Sequence, residues 1–137
     1  MRGLTPGNVT MSLKVVHIDD QPEMLDLIRL ILTRAGYQVT SENNGASGLQ
    51  TIADVQPDVV LLDLMMPEMD GWEVFHSIRG NPKTSHIPII VLTARSQSID
   101  KVIGLHIAKV DDYITKPFTG EQVLSSVKRA VMVRKAL

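Results

Sequence analysis

A chain of 137 residues is one domain's worth and long enough for a real hydrophobic core. Apolar residues make up 44%, charged residues 21% and aromatics 4%, an ordinary globular profile, and a net charge of -1 argues against a surface that tracks nucleic acid or anionic lipid. The absence of Cys excludes disulfides and thiolate sites, and the apolar runs are far too short to span a bilayer.

Residues 1–12 hold Gly3, Gly7, Pro6 and Asn8 without periodicity and read as a flexible N-terminal extension, leaving 13–137 as a single domain. Residues 1–10 carry one Arg and no apolar run, so no secretory signal is expected and a cytoplasmic location is. A first strand is predicted over 13–18. A helix follows with Pro22 at its first position and Met24, Ile28, Ile31 and Ala35 on one face, and Gly36 ends it. Residues 37–42 alternate as an edge strand with one wet face would, and a second helix over 45–55 closes at Pro57. The run 59–62 is apolar throughout, the mark of a strand buried on both sides. A loop over 63–70 leads to a third helix containing Trp72, Phe75, Ile78 and Arg79, which Gly80-Asn81-Pro82 breaks. A fourth strand is predicted over 87–92, a helix over 96–108, a fifth strand over 112–115 and a last helix over 119–135. Alternating βα units imply a parallel sheet with right-handed crossovers and helices on both faces.

Four of these strands end in residues suited to phosphate chemistry: Asp19-Asp20, Asp63, Thr93, and Thr115-Lys116. Ligands of open parallel sheets sit outside the carboxyl ends of the strands. The fold therefore gathers three carboxylates, a hydroxyl and an ammonium in one crevice. Two unit charges about 4 Å apart cost about 4 kcal/mol at an effective dielectric of about 20, so either one carboxyl keeps its proton or a cation joins them. An all-oxygen donor set favours a hard cation such as Mg²⁺. Asp63, after the most apolar strand, is the candidate nucleophile, and a carboxylate that attacks a phosphoryl donor becomes an aspartyl phosphate. Thr93 and Lys116 are placed to contact that group.

The chain resembles a response-regulator receiver domain of the two-component family, with the chemotaxis-regulator-like fold. The resemblance rests on His17-Ile18-Asp19-Asp20, the run Asp63-Leu64-Met65-Met66-Pro67-Glu68-Met69-Asp70-Gly71, Val91-Leu92-Thr93-Ala94 and Asp112-Tyr113-Ile114-Thr115-Lys116-Pro117-Phe118, and spans about residues 13–135. It implies a flavodoxin-like (βα)5 doubly wound sheet of order 2-1-3-4-5. It further implies that Asp63 is phosphorylated by the phosphohistidine of a sensor histidine kinase or phosphotransfer protein. Asp20, Asp63 and the Met65 backbone carbonyl would bind Mg²⁺ (or Mn²⁺), with Asp19 helping through water. Thr93 and Tyr113 would be the switch pair, Met65 and Arg95 would tune phosphate lifetime, and the Lys116-Pro117 bond would be cis. Output would run through the helix over 96–108, the fifth strand and the last helix to an unknown downstream protein, with a phosphorylation-dependent dimer also open. No catalysis beyond the domain's own phosphorylation and dephosphorylation is implied, and no direct nucleic-acid or membrane contact. The sequence fits a stand-alone regulator or a domain of a larger one.

Receivers usually carry Gly-Ala before the acids of the fifth strand. Here Ile107-Ala108-Lys109-Val110 stands there, which predicts altered geometry where the helix over 96–108 ends. A flavin carrier would need a phosphate-cradling loop where the acidic Asp19-Asp20-Gln21 lies. A haloacid-dehalogenase-type phosphatase would need an acid where Met65 lies, and a pseudo-receiver usually lacks a site residue that is present here. His17, His76, His86 and His106 show no ligand spacing, and His17 is expected to be hydrogen-bonded in its strand. Lys128, Arg129, Arg134 and Lys135 are expected to complement the last helix's dipole.

Overall fold

A computed structural model describes residues 12–66, 71–94 and 110–136. The predicted extension over 1–12 (bar Ser12), the loop over 67–70, Arg95, the predicted helix over 96–108 and its unusual end lie outside the described residues. The elements are β1 (Lys14–Ile18), α1 (Pro22–Arg34), β2 (Gln38–Glu42), α2 (Gly45–Val55), β3 (Val59–Asp63), α3 (Gly71–Gly80), β4 (Ile89–Ala94), β5 (Asp112–Lys116) and α4 (Gly120–Ala136). The five strands form one parallel sheet in the order β2-β1-β3-β4-β5. This is the α/β flavodoxin-like order expected from the sequence.

Local chemistry sets the helix ends. Pro22 sits in the first turn of α1, and Gly36 at φ 97° ends it while the Gly36 and Tyr37 amides donate to Thr33 and Leu32 carbonyls. Asn44 caps α2 by accepting from the Ser47 amide at 2.9 Å. At the start of α4, the Thr119 hydroxyl accepts from the Gln122 amide and the Gln122 side chain accepts from the Thr119 amide, a reciprocal capping box.

The sheet separates two apolar layers. On one face Val16, Ile18, Val60, Leu62 and Val91 meet Ile52 of α2 and Val74, Phe75 and Ile78 of α3. On the other, Val15, Leu61, Leu92 and Ile114 meet Ile28 and Leu32 of α1 and Val123, Val127 and Val131 of α4. Each fully buried Leu or Ile contributes about 1.5–3 kcal/mol. All five residues of β3 are buried, as its continuous apolar run predicts, and Trp72 packs edge-to-face on Phe75.

Two sequence readings need correction. Leu32, not Ala35, completes the buried stripe of α1, because the helix ends at Arg34 and leaves Ala35 exposed. β4 begins at Ile89 rather than Ile87 and runs to Ala94. Pro88 has no N–H to give, and only its carbonyl joins the ladder by accepting from the Val60 amide.

Candidate phosphoacceptor site

β1 and β3 are neighbours in register, with Ile18 opposite Leu62, so the residues that follow them, Asp19 and Asp63, emerge side by side. Asp63 in turn lies opposite Leu92, and Ala94 opposite Lys116. A crevice of about 220 Å³ opens there, lined by Asp20, Gln21, Asp63, Met65, Ala94 and Lys116. Hollows of about 510 and 550 Å³ lie on the β5–α4 side, but none of the gathered acids lines them.

One carboxylate oxygen from each of Asp19, Asp20 and Asp63 lies within 4.8 Å of the others. Asp19 is fully buried, Asp63 nearly so and Asp20 partly. Lys116 answers them with Nζ 3.3 Å from Asp19 Oδ2, 3.8 Å from Asp63 Oδ1 and 3.4 Å from Gln21 Oε1. The Lys116-Pro117 bond is cis. Backbone amides take two more oxygens: Gln21 N–H donates to Asp19 Oδ1 at 3.0 Å and Met65 N–H to Asp63 Oδ1 at 3.1 Å.

The two buried acids titrate in opposite directions. Burial pushes the Asp63 carboxyl up to about 7, and the Asp19 charge adds to this while Lys116 opposes it. For Asp19, burial also disfavours charge, but the His17 ring, the Gln21 amide and Lys116 outweigh it and hold the group below the usual carboxylate range. Among the described residues the cation beside Asp63, Lys116, does not offset this burial and repulsion. Three clustered carboxylate oxygens with one ammonium fit a hard divalent cation, which would complete the charge balance.

Gly71 brings the start of α3 close to the end of β3. Its amide donates to the Leu64 carbonyl at 2.8 Å, and a Cβ there would meet the Leu64 backbone and come within 2.5 Å of the Asp63 carbonyl oxygen. Only glycine allows α3 to start this close to the residue that carries the acid.

Thr93 is buried one residue beyond the partner of Asp63, and its hydroxyl donates to the Ala94 carbonyl at 3.4 Å. Tyr113 lies opposite Val91, two residues before Thr93, so strand alternation puts Thr93 and Tyr113 on one face of the sheet. Tyr113 is half-buried against the α2–α3 layer. The structure thus brings Asp19, Asp20, Asp63, Met65 and Lys116 together and sets the Thr93–Tyr113 pair beside them. Met65 is 57% exposed at the crevice mouth.

Three residues were missed or misread from the sequence. Gln21 touches both Asp19 and Lys116, and its position directly after the acid pair was the available signal. His17 was expected to be hydrogen-bonded, yet it is fully buried with both ring nitrogens unpartnered. Its Nε2 lies 3.7 Å from Asp19 Oδ2, beyond hydrogen-bond length. Arg129, expected to serve the helix dipole, instead holds Asp112 at 2.8 Å.

The sequence model of the response regulator receiver domain family matches residues 15–128. Among solved structures, the chain is 30% identical to a protein from Chloroflexus aurantiacus described as a response regulator, with a TM-score of 0.84, covering 89% of this chain and 99% of that one. It is 32% identical to the signal receiver domain of a signal transduction histidine kinase from Syntrophus aciditrophicus, with a TM-score of 0.81 and coverage of 89% and 92%. A chemotaxis protein from Vibrio cholerae is 27% identical, with a TM-score of 0.81 and coverage of 88% and 99%.

Proposed function

Because the chain belongs to the response regulator receiver domain family, we propose that Asp63 is the phosphoacceptor of a two-component signalling step. An Asp63 carboxylate oxygen attacks the phosphorus of a donor phosphohistidine. The P–O bond forms as the P–N bond breaks, and the electron pair returns to the donor's imidazole. In the reverse release, water attacks phosphorus, the P–O bond to Asp63 breaks, and the carboxylate and inorganic phosphate are restored. The protein does no other chemistry in this reading.

The observation that carries it is a nearly buried acid on the central strand, with its carboxyl pushed up to about 7 and an ammonium 3.8 Å away. Asp19, Asp20, Asp63 and the Met65 carbonyl would hold Mg²⁺ (or Mn²⁺). When bound, the ion keeps these acids ionised at neutral pH and screens an incoming phosphoryl dianion. Lys116 and the Thr93 hydroxyl contact the transferred oxygens. That group adds about -1.5 to -2 charges and biases the protein through such contacts alone. The switch runs through Thr93 and Tyr113 to the β5–α4 side of the sheet, where a downstream protein or a second copy binds. Partners upstream are a sensor histidine kinase or phosphotransfer protein. Among the described residues no helix is long and apolar enough to cross a membrane, and we place the reaction in the cytoplasm.

Intact-mass analysis with acetyl phosphate and Mg²⁺ tests this. Wild type is expected to gain one phosphoryl group, and Asp63→Asn none. A wild type that gains nothing, or an Asp63→Asn that still gains it, overturns the assignment.

A further inference from the structure

Among the described residues, the buried His17 imidazole is the one interior side chain whose polar atoms have no partner. Buried polar side chains are nearly always hydrogen-bonded, so an orphan beside a reactive site points to a partner gained in another state. His17 is clamped in β1 between Ser41 and Leu61, and strand alternation puts it on the same side as Asp19. The surrounding layer is apolar, so packing alone would be served better by Val or Leu.

The oxygen it faces is decisive. Asp19 Oδ1 is occupied by the Gln21 amide, while Oδ2 is held by Lys116 at 3.3 Å and faced by His17 Nε2 at 3.7 Å. Lys116 Nζ sits only 3.8 Å from Asp63 Oδ1, and a phosphoryl group there draws it off Asp19 by charge. Its departure leaves Oδ2 with no other donor among the described residues. We infer that His17 is a positioning residue: as Lys116 moves to the phosphoryl group on Asp63, the His17 Nε2–H takes over the Asp19 oxygen that Lys116 releases. A movement of less than about 1 Å closes the gap to hydrogen-bond length. The imidazole carries an N–H to give in either protonation state. The hand-over holds the Asp19 carboxylate still while its other partner changes. This inference rests on the phosphoacceptor reading above.

Nitrogen-15 NMR of the His17 ring tests it, in wild type with Mg²⁺ alone and with Mg²⁺ plus beryllofluoride as phosphoryl mimic. The Nε2 proton is expected to shift downfield and exchange slowly only with beryllofluoride. His17→Val should keep Mg²⁺ affinity within about twofold and lose about tenfold in beryllofluoride affinity, the worth of one charge-assisted hydrogen bond. His17→Gln, which keeps a donor at similar reach, should recover most of that loss. A purely structural histidine would not separate the two affinities. Unchanged ring signals, or equal beryllofluoride binding by His17→Val, overturn the hand-over. Failure of wild type to bind beryllofluoride instead overturns the phosphoacceptor reading. Should His17→Val not fold, the wild-type ring signals decide.

Discussion

At the amino ends of the strands, Asp111 accepts from the Ile89 amide at 2.7 Å and from Arg79 at 2.8 Å. Asp112 beside it accepts from the Tyr113 amide, the Ser126 hydroxyl and Arg129. At the carboxyl ends of the same sheet, Asp19, Asp20 and Asp63 crowd together around Lys116. Among the described residues, the first pair of acids has two arginines and several donors, whereas the second trio has one lysine and two amides. A carboxylate satisfied from within braces the fold. One left short of positive charge is available to something that arrives from outside, and the comparison separates structural from functional aspartates that look alike in sequence.

Substitutions should therefore have opposite signs at the two ends. Asp112→Ala is expected to destabilise the protein by about 2–3 kcal/mol, since it orphans the buried Ser126 hydroxyl and frees Arg129. Urea unfolding measures this, and a change near zero would erase the contrast. Asp63→Asn should stabilise the metal-free protein by about 2 kcal/mol at pH 8, less than its full pKa displacement would carry because the amide also loses the Lys116 attraction. The sign follows from linkage. With its carboxyl raised from 3.8 to about 7, folded Asp63 holds a proton that the unfolded chain has released. Stability thus falls as pH climbs from about 4 to about 7, and the gain from Asn is full above that window and gone below it. Unfolding in chelator at pH 4 and pH 8 reads the difference. Mg²⁺ should restore wild-type stability by about 2.7 kcal/mol at a hundredfold excess over its dissociation constant, with little gain in Asp63→Asn. The smallest expected effect is at the amino ends, where Gln56 caps α2 in a left-handed conformation at φ 52°. Gln56→Gly should add about 0.5–1 kcal/mol without touching phosphoryl uptake.

Much of this was legible in the sequence because strand ends are legible. The fully apolar run of β3 announced a central strand, so the acid at its end had to emerge in the sheet's crevice, and Asp19-Asp20 and Lys116 followed by the same logic. Side-chain pairing between helix and strand was not legible. Nothing in the order of residues reveals that Asp112 meets Ser126 and Arg129, since helix rotation decides which α4 side chains face β5. His17 was read as a satisfied strand histidine because strand residues usually find partners. Alternation alone would have put it on the Asp19 side, but only coordinates show that the reach falls short. Ala35 was assigned to the core because the 3.6-residue period continues one residue past Arg34, where the helix ends.

The sheet has two open borders, and β2 forms one of them. Alternate carbonyls of that strand face outward, including that of Val39, and Arg29 from α1 spans the border with one nitrogen on the Val39 carbonyl at 3.0 Å and the other on the Ser41 hydroxyl at 2.8 Å. A foreign extended segment seeking to template on this rim meets a charged guanidinium rather than a free backbone acceptor. The same arginine thereby guards against amyloid-like stacking.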